Sequence, residues 1–135
     1  MNKLVASSIA IALFLLAGCA ASGPKLANSA EDIAGTWHST TDSGEMQFNE
    51  DGTLIFSPAT VNPFAVEFRF EGTRLFSEGY PPGFLCVQLG AEIVIYEVEL
   101  LENGNLKFTV IEDECPFRVA YFTGALIERE WEPVP

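Results

Sequence analysis

The segment Phe64 to Glu71 constrains the fold more tightly than any other part of the chain. Phe64, Val66, Phe68 and Phe70 alternate with Ala65, Glu67, Arg69 and Glu71. Successive side chains of an extended strand point to opposite faces, so this period predicts a strand with one aromatic, buried face and one charged, solvated face. A helix would scatter the same residues around its circumference and bury the charges with the rings.

The pattern recurs along the chain. Ile33 to Ser39 predicts a first strand, and Met46 and Phe48 alternate with Glu45 and Gln47 before the turn Asn49-Glu50-Asp51-Gly52. Thr53 to Ser57 leaves that turn as a strand. Gly72 closes the Phe64 strand and Thr73 to Glu78 is its short partner, while Pro58 to Pro63 and Gly79 to Gly83 read as loops. Glu92 to Leu101 places Val94, Tyr96, Val98 and Leu100 on one face, with Ile93, Ile95, Glu97 and Glu99 on the other. The turn Glu102-Asn103-Gly104-Asn105 then returns the chain through Leu106, Phe108 and Val110. An acidic loop, Glu112-Asp113-Glu114, leads to Cys115-Pro116, and Arg118 to Ala125 and Leu126 to Trp131 are expected to supply the closing strands. Helical period is confined to a single turn around Ser29 to Ile33, with Ser29 as its cap. Seven to nine short strands joined by tight turns predict an all-β domain, a small antiparallel up-and-down barrel, with a β-sandwich as the alternative.

The amino terminus has a different character. Leu4 to Ala17 carries no charge and is too short for a bilayer-spanning helix of roughly 20 apolar residues. It ends in Leu16-Ala17-Gly18-Cys19, which resembles the lipobox of bacterial lipoproteins. The resemblance implies acylation of Cys19, as with palmitate, after removal of residues 1–18 as a signal peptide. Residues 19–29 would then form a lipidated tether of Ala, Ser, Gly, Pro and Asn character, and residues 30–135 the domain. It also implies a place in the bacterial cell envelope, on the outer membrane where the organism has one, with the domain outside the cytoplasm and held to the membrane by its lipid.

Cleavage after Gly18 leaves 117 of the 135 residues and removes Lys3, taking the net charge from −12 to −13. Phosphate recognition depends on clustered Lys and Arg, and the six basic residues that remain are scattered, so nucleic acid is not an expected partner. With Cys19 committed to lipid, Cys86 and Cys115 are left in a compartment where disulfides persist, and a Cys86–Cys115 bridge is the simplest pairing. Loop entropy would make it worth ~3.5 kcal/mol. Two Cys and the single His38 do not make a metal site, and the acidic turns lack the six to eight oxygens of a calcium loop.

Gly35-Thr36-Trp37 resembles the G-x-W signature of lipocalins and the wider calycin group. That resemblance implies an up-and-down barrel closed at one end by Trp37, with an Arg from a late strand across the ring: Arg118, or Arg129 in second place. Gly35, Trp37 and Arg118 are therefore the expected closure residues. Gly104-Asn105-Leu106 with Asp113, Cys115 and Arg118 is similar to a block in small bacterial lipocalin-like lipoproteins.

No catalytic motif stands out, so no catalytic residues and no cofactor are nominated, and enzymatic activity is not the expectation. A small barrel either encloses a cavity or fills its interior. In the first case a small hydrophobic ligand would lie against Phe48, Phe56, Phe68, Phe70, Tyr96 and Phe108, entering past Phe64 and Phe84. In the second, the chain would be a structural or protein-interaction module with a packed core, presenting an acidic surface to an envelope protein.

Overall fold

The structure is a computed structural model that describes residues 23–81 and 90–135, with side chains omitted for residues 120–123. Eight strands, each hydrogen-bonded antiparallel to the next, close into a barrel in chain order: β1 (Gly35–Ser39), β2 (Glu45–Phe48), β3 (Thr53–Ser57), β4 (Phe64–Glu71), β5 (Arg74–Glu78), β6 (Val94–Leu100), β7 (Leu106–Asp113) and β8 (Glu130–Pro133). The barrel, and not the sandwich, is the observed architecture. Along β4 and β6 the alternation in sequence becomes alternation in burial: Val66 and Phe68 point inward, as do Val94, Tyr96 and Val98.

Antiparallel order puts alternate connections at the same end. The lower end carries the hairpins after β2, β4 and β6, together with α1 (Ala30–Ile33) just before β1. The upper end carries residues 40–44, 58–63, 79–81, 90–93 and 114–129. Gly35 has φ +126°, a conformation closed to other residues at ordinary cost, which accounts for glycine where the chain swings from α1 into β1. Ser29 stands at the cap position of α1 but makes no side-chain cap bond.

The last third of the chain corrects the sequence expectation. Arg118 to Ala125 is not a strand: α2 (Pro116–Phe122) runs into a π-helical turn (Thr123–Ile127), and only Glu130–Pro133 forms the closing strand. Cys115 sits at the helix cap, where its Sγ accepts the Arg118 N–H at 3.3 Å and its carbonyl accepts the Val119 N–H at 3.0 Å. Pro116 occupies the first helical position, where a missing N–H costs nothing. Because β8 is so short, it pairs with β7 through Leu106 and Lys107, and the helical segment packs alongside β7.

The expected tether also joins the fold earlier than its composition implies. Leu26 bridges Glu99, Ala27 N–H bonds the Val98 carbonyl at 2.9 Å, and Leu100 N–H bonds the Lys25 carbonyl at 2.8 Å. Lys25 to Ala27 thus extends the ladder on β6 beyond the end of β5, and Ala27 is fully buried.

Candidate functional site

The barrel interior is where a ligand would sit. Phe48, Phe56, Phe68, Tyr96 and Phe108 are all buried there, whereas Phe70 is partly buried. Their first partners are one another. Phe48 meets Phe68 edge-on at 5.2 Å and stacks on Phe108 at 6.1 Å, and Phe108 meets Tyr96 at 6.2 Å. Nearer the upper end Phe56 packs on Phe64 at 5.6 Å and on Trp131 at 6.1 Å. Phe64 is therefore a part-buried member of the core and not an exposed rim residue. Trp131, which the sequence marked only as the end of a strand, is fully buried and donates its Nε1–H to the Leu126 carbonyl at 3.1 Å.

What remains between these rings is about 20 Å³, bounded by Phe48, Phe56, Tyr80, Tyr96, Phe108 and Leu126 among others. One water needs roughly 10–15 Å³. Ligand clefts begin at roughly 300 Å³. Phe68 and Phe70 do not line this space. Leu126, from the π-helical turn, closes it towards the upper end, so the helical connection acts as a stopper for the barrel.

One wall of the space is polar. Ser77 and Tyr80 share a hydrogen bond between their hydroxyls, and both residues are buried. The Tyr96 hydroxyl is buried beside Tyr80 and makes no well-formed hydrogen bond. Burial pushes the Tyr96 phenol well above its usual range, and Tyr80 beside it acts in the same direction. Burial likewise raises Tyr80, against the opposing hydrogen bond to Ser77. Both phenols stay neutral at any physiological pH.

Arg118 corrects a central expectation. It does not lie across Trp37. Its guanidinium is buried over the Tyr80 ring at 4.9 Å, donates to Asp113 Oδ1 at 2.7 Å and Oδ2 at 3.0 Å, and donates to the Ala91 carbonyl at 3.0 Å. The reason is the helix: α2 carries Arg118 to the upper end, while Trp37 belongs beside α1. Burial acts against the guanidinium charge, but Asp113 outweighs it and raises its pKa. The same carboxylate accepts the Cys115 N–H at 2.9 Å, so one buried ion pair ties together the end of β7, the cap of α2 and the loop before β6.

Trp37 itself is buried, and its Nε1–H bonds the Ile33 carbonyl at 2.9 Å, fastening α1 beneath the barrel. Arg129 does not stack on it either. It donates to Ser39 Oγ at 2.9 Å and also bonds Asp42 and the Gly124 carbonyl, linking the β1–β2 loop to the helical segment. His38 faces solvent and pairs with Glu45 at 2.8 Å.

Cys19 and its lipobox, Phe84 and Cys86 lie outside the described residues, whereas Cys115 is buried. No group of His, Cys, Asp and Glu able to hold a metal occurs among the described residues, and no described helix is long and apolar enough to cross a membrane. Comparison with protein-family models, curated proteins and solved structures finds no match to this chain.

Proposed function

We propose that this chain is a lipid-anchored protein of the bacterial envelope that works as a non-catalytic interaction module, through the outer surface of a lipocalin-like barrel whose interior is filled by its own side chains. The observation that carries the reading is the free space of about 20 Å³. A ligand of ordinary size would have to displace Leu126 and separate rings that already satisfy one another. The anchor rests on the lipobox at Cys19, and a Cys86–Cys115 bridge would fit an exported domain. A tether from Cys19 to Lys25 would reach at most about 20 Å, holding the lower end of the barrel towards the membrane.

Two experiments test this. Cys19→Ser should move the protein from the membrane to the soluble fraction with the domain still folded, and retention in the membrane would overturn the anchor. Native mass spectrometry of the protein extracted from its own cells should give the mass of the lipidated chain with nothing added.

A second reading draws on the Tyr96 hydroxyl, which is buried with no well-formed hydrogen bond. Leaving such a group buried costs about 1–3 kcal/mol. A small apolar molecule with a hydrogen-bond acceptor would recover that energy if the Leu126 stopper moved aside. Added mass in the native spectrum, lost in Tyr96→Phe, would establish this reading and overturn the filled-barrel one.

A further inference from the structure

A groove of about 340 Å³ runs over the outside of the barrel near its upper end. Its floor is Phe76, Ile93 and Ile95, and its rim carries Glu92, Glu112 and Glu114. The floor is built by register. Phe76 on β5 is paired with Ile95 on β6, and Ile95 with Glu112 on β7. Inward-pointing Val94 and Tyr96 force Ile93 and Ile95 outward, which leaves Ile93 42% exposed. A bulge follows directly: Ile95 is opposite Glu112 and Tyr96 opposite Val110, so Ile111 is the extra residue, and it too is exposed.

The charge along this face is not uniform. Towards the lower end each outward carboxylate of β6 has a basic cross-strand neighbour, Glu97 with Arg74 and Glu99 with Lys107. Around the apolar floor that compensation stops. Glu92, Glu112 and Glu114 are in no ion pair among the described residues. The two basic residues nearest in the fold's upper end, Arg118 and Arg129, are committed to Asp113 and Asp42. One cation already sits at the groove's edge: the Arg69 guanidinium lies 4.6 Å from the Phe76 ring centroid. A stacked cation beside carboxylates is the arrangement the rest of the groove lacks. Apolar patches rimmed by polar groups are characteristic of interaction sites.

We infer that this groove docks an extended, basic segment of a partner protein in which Lys or Arg alternates with Leu, Ile or Val. The apolar side chains cover Phe76, Ile93 and Ile95, and the cations meet Glu92, Glu112 and Glu114. The inference rests on the interaction-module reading and supplies the chemistry of the partner. The groove lies at the end of the barrel away from Lys25 to Ala27, where the tether joins, so a partner reaches it without competing with the chain's own membrane.

The test uses a fluorescein-labelled peptide of four Lys-Leu repeats, titrated by anisotropy against the full lipidated protein in non-ionic detergent at physiological salt, with a detergent-only blank. Wild type should bind. Ile93→Asp should weaken binding about tenfold by removing an apolar contact. That substitution adds negative charge, so attraction to an acidic surface in general would leave binding unchanged or strengthen it. Glu112→Lys with Glu114→Lys should abolish binding, and Glu50→Lys with Asp51→Lys, at the lower hairpin, should leave it intact. Binding that survives Ile93→Asp, or that falls equally with the lower-end reversal, overturns the groove. So does failure of wild type to bind, or a concentration-dependent homodimer that Ile93→Asp dissociates. Added mass in the native spectrum would overturn the filled-barrel reading without altering the peptide result. A bare chain that binds no peptide would overturn the groove alone.

Discussion

The Arg118 guanidinium forks onto the Asp113 carboxylate at 2.7 and 3.0 Å, with both side chains shut away from solvent. A buried pair gains little over an apolar substitute, but removing one member strands the other charge. Arg118→Ala should therefore destabilise the domain by about 3–5 kcal/mol, and denaturant unfolding followed by tryptophan fluorescence measures it. A loss under about 1 kcal/mol would mean that the pair is solvated in solution.

Trp37 gives a second prediction, because it is fastened to α1 and not to any arginine. Trp37→Ala should cost about 3–5 kcal/mol through the cavity it leaves. A double-mutant cycle between Trp37 and Arg118 should show no coupling, whereas one between Tyr80 and Arg118 should. Coupling in the first cycle and none in the second would place the arginine back over the tryptophan.

Tyr96 should behave unlike an ordinary core residue. Its buried hydroxyl makes no well-formed hydrogen bond, so Tyr96→Phe should leave stability unchanged or raise it by up to ~2 kcal/mol. The raised pKa also sets a pH dependence. The unfolded chain releases the Tyr96 proton near pH 10 while the folded state still holds it, so this contribution is complete below about pH 10 and is lost as pH rises through the folded value. Alkaline unfolding should shift to higher pH in Tyr96→Phe, and an unchanged midpoint would contradict the burial.

Asp42 works in the opposite direction. Burial tends to raise its carboxyl, but hydrogen bonds from Arg129, the Gly44 N–H and Ser39, with the Arg129 charge, hold it below its ordinary 3.8. The stabilisation is present above about pH 4 and is lost as pH falls through the lower folded value. Asp42→Asn should lower stability slightly at neutral pH and flatten the acid limb, so that variant and wild type converge in denaturant unfolding as pH falls well below 4. A third of the Asp42 side chain is exposed, so the effect is modest.

The strands were legible because a half-buried strand writes its geometry into every second residue, as along Phe64 to Glu71. The helical connection was misread because Phe117, Val119 and Tyr121 also alternate with smaller or charged residues. The deciding signals were local, Pro116 at a helix start behind Cys115 as cap, and they lay in what read as an acidic loop. The sequence offers Arg118 as a partner for Trp37, but its partner is Asp113, five residues back, and no spacing rule distinguishes a carboxylate that turns inward from its solvated neighbours Glu112 and Glu114. The inward aromatics could be named from the alternation. Whether they meet one another depends on the tilt and closure of the barrel, which no single strand encodes.

The short pairing between β7 and β8 bears on how the molecule stays apart from its own copies. Above Leu106 and Lys107 the outer edge of β7 runs on without a strand beside it, and the segment Pro116–Ile127 stands in that place. An uncovered strand edge is a template for another chain, and folds that keep one must guard it. Here the guard is helical and is fastened by the Arg118–Asp113 pair, so loosening that pair frees a stretch of strand edge from which strand exchange and aggregation can begin.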